Sequence, residues 1–87
     1  MHTDEYEISL SRELDICRKK VNALKKNLSR REIKFNMPTE EFIMLFRHGE
    51  IPVDNKDFIS WMNDYQALGK WQSTMKQYEE MFSLMRI

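Results

Sequence analysis

The sequence predicts an all-α protein: an antiparallel hairpin of two long, coiled-coil-like helices with a short connecting helix, assembling into a helical-bundle dimer. Two periodicities and one break carry this. Leu10, Leu14, Cys17, Val21, Leu24 and Leu28 recur at intervals of 4, 3, 4, 3 and 4, a heptad seam that must bury against another helix. Apolar side chains recur again at Phe58, Trp61, Tyr65, Leu68, Trp71, Met75, Tyr78, Phe82 and Met85, at a mean spacing that favours left-handed wrapping about a neighbour. The short segment between the two stripes makes an antiparallel return the simplest path.

The first helix is expected from about residue 4 to 34. Asp4 with Glu7 resembles a capping box, and the early acids suit the positive end of a helix. Arg30, Arg31 and Lys34 suit the opposite end; Asn36 can take a left-handed cap, and Pro38 pushes Met37 out of helical geometry. Thr39 is the expected N-cap of a short helix over about 39–48, which Gly49 ends and Pro52 keeps from resuming. The last helix is expected over about 54–85, with Asp54 and Asp57 as a second box-like start and Gly69 weakening its middle. Charge favours the hairpin, because Lys25, Lys26, Arg30 and Arg31 would lie beside Asp54, Asp57 and Asp64. Residues 1–87 form a single helical domain.

An 87-residue chain buries a modest fraction of its surface, so help from self-association or a protein partner is expected. Ile59, Met62, Ala67, Met81 and Leu84 lie off the main stripe of the last helix, more apolar surface than one neighbour can cover. A parallel dimer through the first seam would set Lys20 against Lys25 of the other chain, a like-charge contact that disfavours it. Basic and acidic residues balance at 14 each, which removes the global electrostatic case for nucleic acid or an anionic membrane. The single cysteine, Cys17, fits a reducing, cytoplasmic setting and reads as a small buried hydrophobe. The start of the chain lacks the basic-then-apolar pattern of an export signal, and no stretch approaches the roughly 18 apolar residues of a membrane span.

Catalysis, metal binding and cofactor binding find no supporting pattern, so the expectation is a protein that is not an enzyme and takes no small-molecule substrate. His2 and His48 lack the ligand spacing of a zinc site. Glu40 with Glu41, and Asp54 with Asp57, sit where helix starts want acids, whereas Glu79 with Glu80 lies on a polar face. Gly49 and Gly69 form no phosphate-binding loop. Trp71, Met75, Tyr78, Phe82 and Met85 are the candidate partner-binding residues, since aromatic anchors dominate the energetics of protein interfaces and methionines add adaptable surface; for Trp71, packing within the hairpin is an equal alternative. Trp61 is expected in the core, against Phe42 and Phe46. The alternative site is nucleic-acid binding by the basic segment 18–34, through Arg18, Lys19, Lys25, Lys26, Arg30, Arg31 and Lys34. A helix-turn-helix is disfavoured because its recognition helix would begin with Phe58, Ile59, Trp61 and Met62, which suit a core better than base edges. A structural homodimer is the third alternative.

The run from Lys34 to Trp71 carries an aromatic before a helix start, then an acidic pair with phenylalanine, a glycine-containing turn and an acidic-aromatic-tryptophan helix. These are Phe35, Glu40, Glu41, Phe42, Gly49, Asp57, Phe58 and Trp61. The pattern resembles small helical prokaryotic proteins that form the antitoxin-like members of two-gene toxin–antitoxin modules. That resemblance implies stoichiometric neutralisation of a partner protein, with no turnover.

Overall fold

In a computed structural model the backbone is described for residues 2–85 and the side chains for residues 7–85. Among these, three helices form the whole of the regular structure: α1 (His2–Phe35), α2 (Thr39–Arg47) and α3 (Lys56–Met85). The side chains of His2 and Asp4, and with them the expected first capping box, lie outside the described residues. α1 and α3 pack side by side as an antiparallel hairpin, and α2 caps its closed end. The molecule is a rod of 56 × 20 × 18 Å.

Each turn has a local cause. Asn36 takes φ 51°, while the Met37 amide donates to the Glu32 carbonyl (3.1 Å) and the Asn36 amide to that of Ile33 (3.4 Å). This is the Schellman closure anticipated at Asn36. α2 ends the same way at Gly49, φ 70°, with the Glu50 amide donating to the Leu45 carbonyl (2.9 Å). Only at Gly49 does a glycine meet a conformational demand; Gly69 is ordinary helix, with open space where a Cβ would stand. Opposite outcomes are therefore expected in urea melts. Gly49→Ala should lower stability by about 1 kcal/mol, the cost of a side chain in the left-handed region. Gly69→Ala should raise it by about 0.5–1 kcal/mol, from better helix propensity.

Two expected caps are corrected. Pro38, not Thr39, occupies the N-cap of α2, and Thr39 is the first helical residue. The Thr39 hydroxyl is drawn inward to accept from the buried Trp61 Nε1 (3.1 Å), so it cannot fold back over its own helix. Glu32 of α1 supplies the cap from outside: its Oε2 accepts the Thr39 amide at 2.7 Å, a charge-assisted bond at the positive end of α2. At α3 the N-cap is Asn55, not Asp54. Its Oδ1 accepts the amides of Asp57 (2.9 Å) and Phe58 (3.2 Å). Asp57 instead reaches across to Lys34 Nζ at 3.0 Å.

The core has two zones. At the closed end Trp61 and Phe42 are wholly buried and stacked, ring centroids 4.0 Å apart and 4° from parallel. Phe35 stacks on Trp61 at 5.6 Å, and the Phe58 ring is tilted against both Phe35 (58°) and Phe42 (49°). Phe46 reaches Phe42 and completes the cluster, without a direct ring contact to Trp61 among the ring pairs described. Ile43, Met62 and Leu28 close it. Along the open arm the core narrows to a seam: Leu10, Leu14, Cys17 and Val21 are buried, but Leu24 is only half-buried. Arg31 pairs with Asp64 and Lys34 with Asp57, which fixes the register of the two long helices. Of the four bases that the charge pattern sets beside the start of α3, Arg31 makes such a contact; Lys25, Lys26 and Arg30 are exposed, and Lys34, outside that set, supplies the second pair.

Candidate protein-interaction face

The five candidate partner-binding residues, Trp71, Met75, Tyr78, Phe82 and Met85, all lie on the distal half of α3, and all are half-buried. Half-burial follows from geometry. Leu68, Met75 and Phe82 recur every seven residues, and with Trp71 and Tyr78 between them and Met85 after them they form a heptad seam that covers the α1 seam. Trp71, Tyr78 and Met85 belong equally to a second seam. Ala67, Trp71, Thr74, Tyr78, Met81 and Met85 recur at intervals of 4, 3, 4, 3 and 4, rotated outward from the first. Every member is half-buried except Met81, which is 39% exposed. A helix apolar over two adjacent seams is built for two neighbours, and on its distal half α3 has one, α1.

Between the helices at mid-arm runs an open groove of about 480 Å³, lined by Glu13 and Cys17 of α1 and by Lys70, Trp71, Thr74 and Tyr78 of α3. Its floor is apolar and its rim carries one acid and one base. Burial, reinforced by the Glu13 carboxylate, pushes the Cys17 thiol above its ordinary 9.0, so the group sits in the groove wall as a neutral packing atom. Nearer the tip, Phe82 borders a shallower groove with Glu7, Ile8 and Ser11. Ile8, Ile16 and Leu84 are exposed on the same arm.

The basic segment is distributed differently. Arg31 and Lys34 are engaged with α3 carboxylates, Arg31 also donates to the Ser60 carbonyl, and Lys34 stands 5.3 Å from the centre of the Phe35 ring. Lys19 pairs with Asp15 one turn back. Arg18, Lys25, Lys26 and Arg30 are exposed, spread around the outside of α1. Two of the seven candidate phosphate contacts thus serve the hairpin itself. Among the described residues no three of His, Cys, Asp and Glu converge as a metal would need, and no helix is long and apolar enough to cross a membrane. Phe58, Trp61 and Met62, the start of the disfavoured recognition helix, are packed into the closed-end core, while Ile59 faces outward.

The second seam was within reach of sequence reasoning, since Ala67 and Met81 already stood out as apolar residues off the main stripe. What hid it was Thr74, a polar residue at a seam position, which interrupts the pattern unless its neighbours are counted first. Searches against family models, curated proteins and solved structures found no match to this chain.

Proposed function

We propose that this chain is a non-enzymatic protein–protein interaction module that acts by stoichiometric occupation, through the outward seam of α3 on the open arm. The observation that carries this is the uncovered half of that seam. Surface area supports it. The chain exposes 6682 Å², against about 5,500 Å² expected of a compact monomer of this mass, an excess of about 1,200 Å². Its radius of gyration of 17.1 Å likewise exceeds the roughly 12 Å of a compact chain of this length. One side of a stable interface buries about 800 Å². The finer reading, an antitoxin-like neutraliser of a partner, rests on the resemblance of residues 34–71, and its cytoplasmic setting on the single cysteine.

Tagged protein purified gently from its native cells is expected to carry a protein partner, either another polypeptide or its own untagged copy, in fixed stoichiometry. Met81→Arg should abolish that association and leave the helical circular dichroism unchanged, because Met81 is at the edge of the intramolecular packing. Recovery of the tagged chain with neither another polypeptide nor its own untagged copy would count against the proposal. The exposed Arg18, Lys25, Lys26 and Arg30 favour nucleic acid as the second reading. Titration with duplex and single-stranded DNA and RNA at two salt concentrations separates the two, since phosphate binding weakens steeply with salt.

A further inference from the structure

We infer that the neighbour missing from the open arm is a second copy of this chain, docked antiparallel on the face that carries Glu13, Thr74 and Tyr78, so that two hairpins make a four-helix bundle. This rests on the interaction-module reading and names its partner.

The first argument is steric. If the outward seam of α3 meets its own copy running the other way, with the two-fold axis level with Lys76, Ala67 falls opposite Met85, Trp71 opposite Met81, and Thr74 opposite Tyr78. Every layer then places a smaller or flexible side chain against a larger one, the arrangement that fills space between facing helices. Trp71 against Met81 also brings a thioether to an indole edge. A parallel pairing would instead stack Trp71 on Trp71 and Tyr78 on Tyr78, leaving Ala67 opposite Ala67 with a void.

The second argument is electrostatic and comes from the other helix. Glu13 shares the mid-arm groove with Thr74 and Tyr78. Ile16 and Lys20, three and seven residues on, lie on the same side of α1. Cys17, next to Ile16, lines the same groove as Trp71, Thr74 and Tyr78, so an axis between Thr74 and Tyr78 passes close to Ile16. Ile16, 45% exposed in the single chain, then meets its own copy, with Glu13 of each chain beside Lys20 of the other. More broadly, the described acids of the first half of α1 (Glu7, Glu13, Asp15) oppose the basic second half. Parallel docking would put Glu13 against Glu13 and Lys20 against Lys20.

The third argument is access. α2 enters beside Ser29 and Glu32. Arg31, five helical turns after Glu13 at about 3.6 residues per turn, points about 200° away from Ser29 around α1. The face that holds Glu13 is therefore clear of α2, and a copy can lie flat along the arm.

Sedimentation equilibrium of the full chain from micromolar to near-millimolar concentration tests this. The expected result is a reversible dimer of twice the 10.6 kDa chain mass. Ile16→Lys, at a position exposed in the single chain, is expected to weaken it by about 100-fold with helicity retained. Glu13→Lys or Lys20→Glu alone should weaken it by about 10-fold, and the two together should restore it. Spin labels placed at Ser9 should lie far apart across the dimer, as antiparallel arms require. A monomer throughout the concentration range overturns the inference. So does a dimer with adjacent Ser9 labels, or one indifferent to Ile16→Lys and the charge exchange. A monomer that still captures a different polypeptide, lost on Met81→Arg, would overturn the second copy as occupant while leaving the interaction module standing.

Discussion

Trp61→Ala is expected to cost about 3–5 kcal/mol, the range for deleting a fully buried large aromatic. For a domain of this size that is a large share of total stability. The magnitude follows from what the indole does. It is wholly buried, stacks on Phe42 at 4.0 Å and on Phe35 at 5.6 Å, and joins residues from all three helices in one cluster. Each aromatic pair contributes about 0.5–1.5 kcal/mol beyond its buried area. Its Nε1 also holds the Thr39 hydroxyl, which orients the first turn of α2. Trp61→Phe should therefore be milder, about 1–2 kcal/mol, since the ring remains while the N–H and part of the volume go. Urea unfolding followed by circular dichroism measures both. Equal losses for the two variants would mean that the ring stack contributes little and the hydrogen bond nearly everything, which the stacking geometry contradicts.

The closed end was also the most legible part of the chain. Asn36 reads as a left-handed cap, Gly49 as the end of the short helix, and Phe42 and Trp61 as packed together, because these features depend on residues close in sequence or on strong periodicity. The caps of α2 and α3 were misassigned for a tertiary reason. Thr39 has the right chemistry for an N-cap, but a tryptophan 22 residues away captures its hydroxyl, and Glu32, seven residues back across the turn, takes over the amide. Asn55 and Asp54 are adjacent and equally suited, so composition could not choose between them. The open arm was legible as a seam but not as a site. The residues named for partner binding are shared between the hairpin and the outward seam. Only the structure shows that Trp71 and Tyr78 border a groove on one side while covering α1 on the other.

Leu14→Ala tests whether the two zones are energetically distinct. Leu14 is buried on the α1 seam, with α3 as its cover on the open arm and neither α2 nor the aromatic cluster nearby. Truncation of a buried leucine costs about 2–5 kcal/mol. The lower end is expected here, about 2–3 kcal/mol, because a cavity beside an open groove can collapse or admit water more readily than one in an enclosed core. The loss should also be local. The arm is held by a narrow seam, whereas the closed end has its own stacked core, two ion pairs and caps fixed by Asn36, Gly49, Glu32 and Asn55, so it can stay folded while the arm opens. Hydrogen exchange should therefore accelerate in the first half of α1 and the last half of α3, and leave the amides around Phe42 and Trp61 protected. Association with a second copy covers the same arm, so the acceleration should be greater in dilute solution, where mass action no longer supports the covered state. Uniform loss of protection over all three helices at every concentration would instead show a single cooperative unit, and the division between a self-sufficient base and a partner-dependent arm would fall.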